Sequence, residues 1–151
     1  MVGSYFFLPK YGFTSFDANP VNHLLYPLSH ANIFHLAVNI ICLWMLHHCP
    51  MHIVATYLIA VVCSFLPSFP IYDCIVEGSF NTLPTMGFSG VLFAMVGISW
   101  GRVHRFRDML WLNKWYIIIP AFLPHVNLLI HVYCLLAGYL YGRLTTKTIK
   151  L

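Results

Sequence analysis

The sequence predicts an all-α polytopic membrane protein, a helical bundle with about five transmembrane helices. Hydrophobic residues make up 60% of the 151 residues and charged residues only 8%, and the mean hydropathy is +0.76. Soluble domains carry roughly a quarter charged residues, so this chain has too few to cover a water-facing surface. The composition excludes an ordinary cytosolic enzyme, a disordered protein and, despite a formal net charge of +4, a nucleic-acid-binding protein.

Five apolar stretches are candidates for membrane spans, each of which needs about 20 residues of helix to cross the hydrocarbon core. They are residues 31–47, 53–71 and 86–100, followed by two spans that share residues 109–142. The first two lie in an interval, from Asp17 to Asp73, with no charged side chain between its ends. Pro120 and Pro124 discourage one continuous helix in the last stretch, so we divide it at residues 124–127.

The basic residues predict the orientation of these spans, because cytoplasmic loops carry an excess of Lys and Arg. Two clusters follow the third and the fifth span: Arg102, Arg105 and Arg107, then Arg143, Lys147 and Lys150. Both lie on one side if two spans separate them, so we place both in the cytoplasm. The chain then divides into an outer N-terminal segment (1–29), a transmembrane core (30–143) and a basic cytoplasmic tail (144–151).

Cysteines and histidines are numerous, but their spacing does not define a cross-linked or metal-bound fold. The five cysteines are odd in number and lack paired spacing, so no disulfide framework is expected. A haem or metal protein is one alternative, since His48 and His52 are four residues apart and His35 and His131 could ligate a cofactor jointly. Neither set offers a full group of ligands, so we expect no metal and no cofactor.

Two polar side chains lie near the outer end of the first span. His35 and Asn39 are four residues apart and therefore share one face of a helix. Two stacked hydrogen-bond donors of this kind suit the stabilisation of a developing negative charge. The alternative is hydrogen bonding between helices, which His and Asn also provide in membranes.

The third span opens on a glycine-flanked serine, GFSG at residues 87–90. The glycines let other groups approach Ser89 closely, and Phe93 lies one turn further along the same face. A seam of small residues that permits close helix contact continues from there: Gly90, Ala94, Gly97 and Gly101. Taken alone, the motif favours the interpretation of Ser89 as one more small packing residue.

The fifth span carries His131, with three small residues on the same helix face: Cys134, Gly138 and Gly142. This face can approach the seam of the third span. Ionisable side chains at membrane depth are candidates for function, and interhelical hydrogen bonding is the alternative for His131. We expect Ser89, His35 and His131 in the outer half of the bundle. A serine, a histidine base and separate donors are the components of nucleophilic acyl transfer.

Together these motifs resemble those of the rhomboid family of intramembrane serine proteases. The resemblance covers residues 24–143 and rests on three motifs in order: His30, His35 and Asn39 in the pattern HxxxxHxxxN, the GxSG of residues 87–90, and His131 followed by Gly138. It implies a rhomboid-like helical bundle in which the GxSG serine is the nucleophile. The histidine of the last span is then the only base, with no aspartate behind it.

Carried onto this sequence, the resemblance makes Ser89 the nucleophile and His131 the general base and acid. His35, Asn39 and the backbone N–H of Ser89 correspond to the oxyanion hole. The supporting positions are Gly87, Gly90, Phe93, His30 and Gly138. Phe93 matches an aromatic residue that packs against the catalytic imidazole, and His30 matches a largely structural histidine.

Several features depart from the family pattern. The usual core has six helices, and this chain resembles one that begins after the first of them. Cys134 stands where the family usually has a glycine, and the outer segment lacks the Trp-Arg pair of many rhomboids. The stretch from Met109 to Leu123 is also short for the mobile helix past which rhomboids admit their substrates.

The sequence therefore predicts an intramembrane endopeptidase that cleaves transmembrane segments of other proteins with a Ser89–His131 dyad. Its expected partners are transmembrane protein substrates and the lipid bilayer, with no nucleic acid. We expect a multi-pass protein whose active site faces the extracytoplasmic side and whose C-terminus is cytoplasmic. The alternative is a catalytically inactive rhomboid-like protein that binds membrane clients without cutting them.

Overall fold

The structure, a computed structural model, describes residues 11–14, 18–46, 52–76, 78, 84–103, 105–121 and 126–147. Within these residues the chain folds into helices, so the all-α prediction is confirmed. In chain order they are α1 (Pro20–Leu25), α2 (Ile33–Met45), α3 (Ile53–Ser64), α4 (Ile71–Val76), α5 (Ser89–Val103), α6 (Phe106–Ala121) and α7 (Leu128–Lys147). A 3₁₀ turn, Tyr26–Leu28, continues α1. Pro124, where we divide the last two spans, and residues 148–151 of the tail lie outside the described residues.

Capping residues and prolines account for helix ends. Asn32 precedes α2, and its Oδ1 accepts a hydrogen bond of 2.9 Å from the backbone N–H of His35, which stabilises the first turn. α3 ends at Ser64, although the sequence predicts a span over residues 53–71. Pro67 follows closely, and a proline can neither donate a backbone hydrogen bond nor continue a helix without a kink.

α5 and α7 form the centre of the bundle and meet along the two small-residue seams. A Cβ atom on Gly97 would lie 2.2 Å from the backbone oxygen of Leu135, and one on Gly138 would lie 2.3 Å from that of Ala94. The other two glycines of the contact are crowded in the same way: Gly101 and Gly142. The contact that the seams predict is therefore present, and no side chain fits between the two backbones.

The main hydrophobic core lies among α3, α5, α7 and the segment that precedes α2. Its buried members are Phe13, Tyr26, Ala60, Cys63, Val91, Ala94, Ile130 and Cys134. The hydroxyl of Tyr26 donates a hydrogen bond of 3.1 Å to the backbone oxygen of Ala60. Tyr26, which the sequence places in the outer segment, is 1% exposed, so this part of the chain packs into the bundle.

Among the described residues, α7 is the one helix that is long and apolar enough to cross a membrane unaided. α1 with its 3₁₀ turn and α2 pass the same test together, but they are bent by 72°. α3 and α5 are apolar but have 12 and 15 residues. The five spans of the prediction are therefore not confirmed. Large apolar side chains such as Phe34 and Val54 are nonetheless 79% and 74% exposed, as contact with lipid requires.

Candidate active site

Ser89 is the first residue of α5, and a turn of unusual backbone geometry leads into it. Gly87, two residues earlier, has a φ of +119°, a conformation that L side chains rarely adopt. Its backbone N–H donates a hydrogen bond of 2.9 Å to the backbone oxygen of Tyr26. The turn is thus tied to the segment before α2, and it presents the serine at one end of the central helix.

The hydroxyl of Ser89 meets the imidazole of His131, the fourth residue of α7. Ser89 Oγ and His131 Nε2 are 2.8 Å apart, within the reach that a nucleophile and its base require. Phe93 stacks on the imidazole, with ring centroids 4.5 Å apart and planes inclined by 7°. His131 Nδ1 is buried without a hydrogen-bond partner in the described part of the chain. An aromatic ring therefore lies against the imidazole, and no described carboxylate lies behind it.

His35 and Asn39 project from α2 toward the turn that leads to Ser89. A Cβ atom on Gly87 would lie 2.5 Å from His35 Cε1 and 3.5 Å from Asn39 Nδ2, so both side chains pack against the backbone of this glycine. Asn39 is buried, and its Nδ2 bonds to none of the described residues. A buried donor without a partner lowers stability, so its presence calls for an explanation. Its position suits the binding of a negatively charged oxygen.

The remaining positions that the sequence singles out contact neighbours of the Ser–His pair. The ring of His30 packs edge-on against that of His35, with centroids 5.3 Å apart. Gly90 lets the hydroxyl of Tyr26 approach, since a Cβ atom there would lie 2.8 Å from it. Gly138 lies further along α7, in the glycine contact with α5. These three residues support the geometry of the site from outside it.

The histidines weighed as metal ligands gain no third ligand among the described residues. Among the described residues, no group of three or more His, Cys, Asp or Glu side chains could hold a metal ion. His52 Nε2 instead accepts a hydrogen bond of 2.7 Å from the guanidinium of Arg102. His48 lies outside the described residues.

Three residues of this region escaped the sequence analysis: Tyr26, Thr85 and Asn127. Each contacts residues that are distant in the sequence, and no local spacing predicts these contacts. One available signal was the position of Asn127 directly before an apolar helix, because asparagine is a favoured N-terminal cap. The buried amide of Asn127 donates a hydrogen bond of 2.8 Å to Thr85 Oγ1, close to the turn that carries Ser89.

Comparison with known families gives one match. The family model for the Rhomboid domain matches residues 19–148, which include the Ser–His pair, the two side chains on α2 and all the supporting positions. No curated protein and no solved structure matches the chain.

Proposed function

This chain belongs to the rhomboid family, and we propose that it is an intramembrane serine endopeptidase that cleaves transmembrane segments of other membrane proteins. The rhomboid domain makes it a membrane protein of a family whose members are generally serine proteases. The proposal depends on one observation above all, the 2.8 Å contact between Ser89 Oγ and His131 Nε2.

In the proposed reaction, Ser89 Oγ attacks the scissile carbonyl carbon while His131 Nε2 accepts the hydroxyl proton. The peptide C–N bond then breaks, and His131 gives the proton to the leaving amine. Water, deprotonated by the same imidazole, hydrolyses the acyl–Ser89 ester and restores the hydroxyl. The ring of Phe93, stacked on the imidazole, limits its rotation through both steps.

Each step places negative charge on the former carbonyl oxygen, which needs hydrogen-bond donors. The proposed donors are the amide of Asn39, the imidazole of His35 and the backbone N–H of Ser89. The first two pack against Gly87 and so lie beside the nucleophile. Loss of one such donor typically lowers the rate about 100- to 1,000-fold. Since α2 supplies the donors, the scissile bond must lie where α2, α5 and α7 converge.

The ends of the helices support the proposed orientation of the site. Ser89 begins α5, and Arg102 lies near its other end; His131 lies in the first turns of α7, and Arg143 near its other end. With the arginines in the cytoplasm, the dyad faces the extracytoplasmic side. α2 packs mainly on α5 and α6 mainly on α7, which leaves both at the edge of the bundle for a substrate helix to pass.

Cleavage of a fluorescently tagged transmembrane substrate in liposomes tests the proposal. Ser89→Ala removes the nucleophile and His131→Ala the base, so each is expected to abolish cleavage. Ser99→Ala is the matched control, because the Ser99 hydroxyl lies on the same helix but donates to the backbone oxygen of Met95 at 3.0 Å. It should cleave as the wild type does. Undiminished cleavage by either dyad variant contradicts the proposal.

A fluorophosphonate probe distinguishes a protease from a rhomboid-like protein that only binds membrane clients. Such probes form a covalent bond with serine hydroxyls that an adjacent base activates. We expect labelling of the wild type and none of Ser89→Ala. A folded wild-type protein that takes up no label would identify the chain as a binding protein.

A further inference from the structure

Asn127 stands directly before α7 and joins three segments of the chain. Its buried Nδ2 donates hydrogen bonds to Thr85 Oγ1 at 2.8 Å and to Ser68 Oγ at 3.1 Å. Its Oδ1 accepts a longer bond of 3.5 Å from the backbone N–H of Ile130, which caps the helix. One amide therefore fixes the start of α7 to the turn before α5 and to the chain that follows α3.

The hydrogen bond between Asn127 and Thr85, which we call the Thr85–Asn127 bridge, joins the same two segments as the Ser–His contact. Thr85 lies four residues before Ser89, and Asn127 lies four residues before His131, so both contacts span a separation of 42 residues. The bridge thus closes the gap between the two segments just before the point at which the hydroxyl and the imidazole meet. A shift of α7 along or around its axis would have to break it.

Thr85 is itself held by the rest of the molecule. Its backbone forms a reciprocal pair of hydrogen bonds with Phe13, of 2.8 and 3.1 Å, and the side chain of Phe13 is fully buried. Two residues further on, the N–H of Gly87 bonds to Tyr26. The turn is anchored at both points. The hydrogen bond from Asn127 to Thr85 therefore attaches the start of α7 to a fixed part of the fold.

We propose that Asn127 is a positioning residue for the Ser–His dyad. Its amide sets the distance between Ser89 and His131 through Thr85, without a hydrogen bond to either side chain of the dyad. This inference rests on the proposed protease function. It goes beyond helix capping, because capping uses Oδ1 and the bridge uses Nδ2. The two roles can therefore be separated by mutation.

Variants at both ends of the bridge test the inference in protein reconstituted in liposomes. Thr85→Val removes the hydroxyl and keeps the shape, while Thr85→Ser keeps the hydroxyl and is its matched control. Asn127→Ser retains a capping hydroxyl but is too short to reach Thr85. We expect fluorophosphonate labelling of Ser89 to slow about 10- to 100-fold in Thr85→Val and Asn127→Ser, as a displacement of about 1 Å between reacting groups can cause. Thr85→Ser should label as fast as the wild type.

Separate measurement of kcat and KM distinguishes a positioning role from a purely structural one. Misplacement of the dyad lowers kcat for a transmembrane substrate and leaves KM unchanged, because the dyad acts in the chemical step and not in substrate binding. Equal labelling rates in Thr85→Val and Thr85→Ser, whether fast or slow, would overturn the positioning role. So would a fall in kcat/KM that comes from KM alone.

Nitrogen NMR of His131 keeps this test independent of protease activity. The Nε2 signal reports the hydrogen bond to Ser89 without turnover, and we expect it to move in Thr85→Val but not in Thr85→Ser. A wild-type protein that is never labelled would refute the protease function alone. An unchanged Nε2 signal in Thr85→Val would refute the positioning role alone.

Discussion

The central pair of helices and the helix at the edge of the bundle are packed in opposite ways. α5 and α7 meet backbone to backbone, and their four contact glycines leave no room for a Cβ atom. Of the α6 side chains that the structure describes, only Met109 is buried. Trp111 and Trp115 of α6 are 69% and 59% exposed, and the ammonium of Lys114 lies 3.3 Å from the ring centroid of Trp111.

This difference separates a tightly packed part of the bundle from a part that is held by few buried contacts. The proposed nucleophile and the proposed base are carried by α5 and α7, the two helices that cannot slide past each other without a clash. α6 is held by a small cluster, Met109 with Leu135 and Tyr139. Under the proposed function, we expect a shift of α6 to leave the distance between Ser89 and His131 unchanged.

Breaking the glycine contact should have the largest effect. Gly97→Leu places a side chain where the backbone oxygen of Leu135 already lies 2.2 Å from a Cβ position, so α5 and α7 must separate. We expect no fluorophosphonate labelling and a lower midpoint of thermal unfolding. Leu140→Ala, at a position of α7 that is 61% exposed, is the control and should preserve both. Wild-type labelling of Gly97→Leu would show that the contact does not set the dyad.

Disturbing the turn before Ser89 should have the next largest effect and should spare the fold. Gly87→Ala forces a side chain into a φ of +119° and against His35 Cε1, 2.5 Å from the new Cβ. Displacement of a proposed oxyanion donor should lower kcat about 100-fold or more. Gly78→Ala is the matched control: its φ is +63°, and no described atom lies within 4 Å of the new Cβ. A loss of activity in both variants alike would trace the effect to backbone strain.

Changes on α6 should have the smallest effect. Trp111→Ala removes an exposed ring and its contact with Lys114, an interaction of the order of 0.5–1 kcal/mol at exposed sites. We expect the rate of fluorophosphonate labelling to change less than about fivefold. A change of about 1 kcal/mol in the activation free energy would alter the rate by that factor, and the lost contact contributes no more than this. A loss as large as that of Gly87→Ala would mean that α6 belongs to the rigid frame of the site.

The features of the site that the sequence predicted depend on residue spacing within single helices. His35 and Asn39, four residues apart, do share the face of α2 that packs on Gly87, and Phe93 lies one turn from Ser89 against His131. The glycines of α5 and α7 likewise predicted a close contact that the structure contains. In each case helical periodicity determines which residues share one face of a helix.

What the sequence could not predict depends on contacts between distant segments. Tyr26 bonds to a carbonyl oxygen 34 residues away, and Asn127 reaches Ser68 across 59 residues. The packing of the whole bundle determines such hydrogen-bond partners. The sequence around one partner does not predict the other. The predicted length of α3 was wrong for a local reason: α3 ends at Ser64, shortly before Pro67, whereas the apolar character continues beyond it.

The separation of 42 residues between Ser89 and His131 also bears on how the protein is made. Translation delivers the alcohol well before the imidazole, and α6 lies between them in the chain. In the proposed mechanism, Ser89 gains the imidazole that takes its proton only when α7 has left the ribosome and docked. If the proposed mechanism holds, a nascent chain cannot cleave its neighbours in the bilayer before α7 has docked.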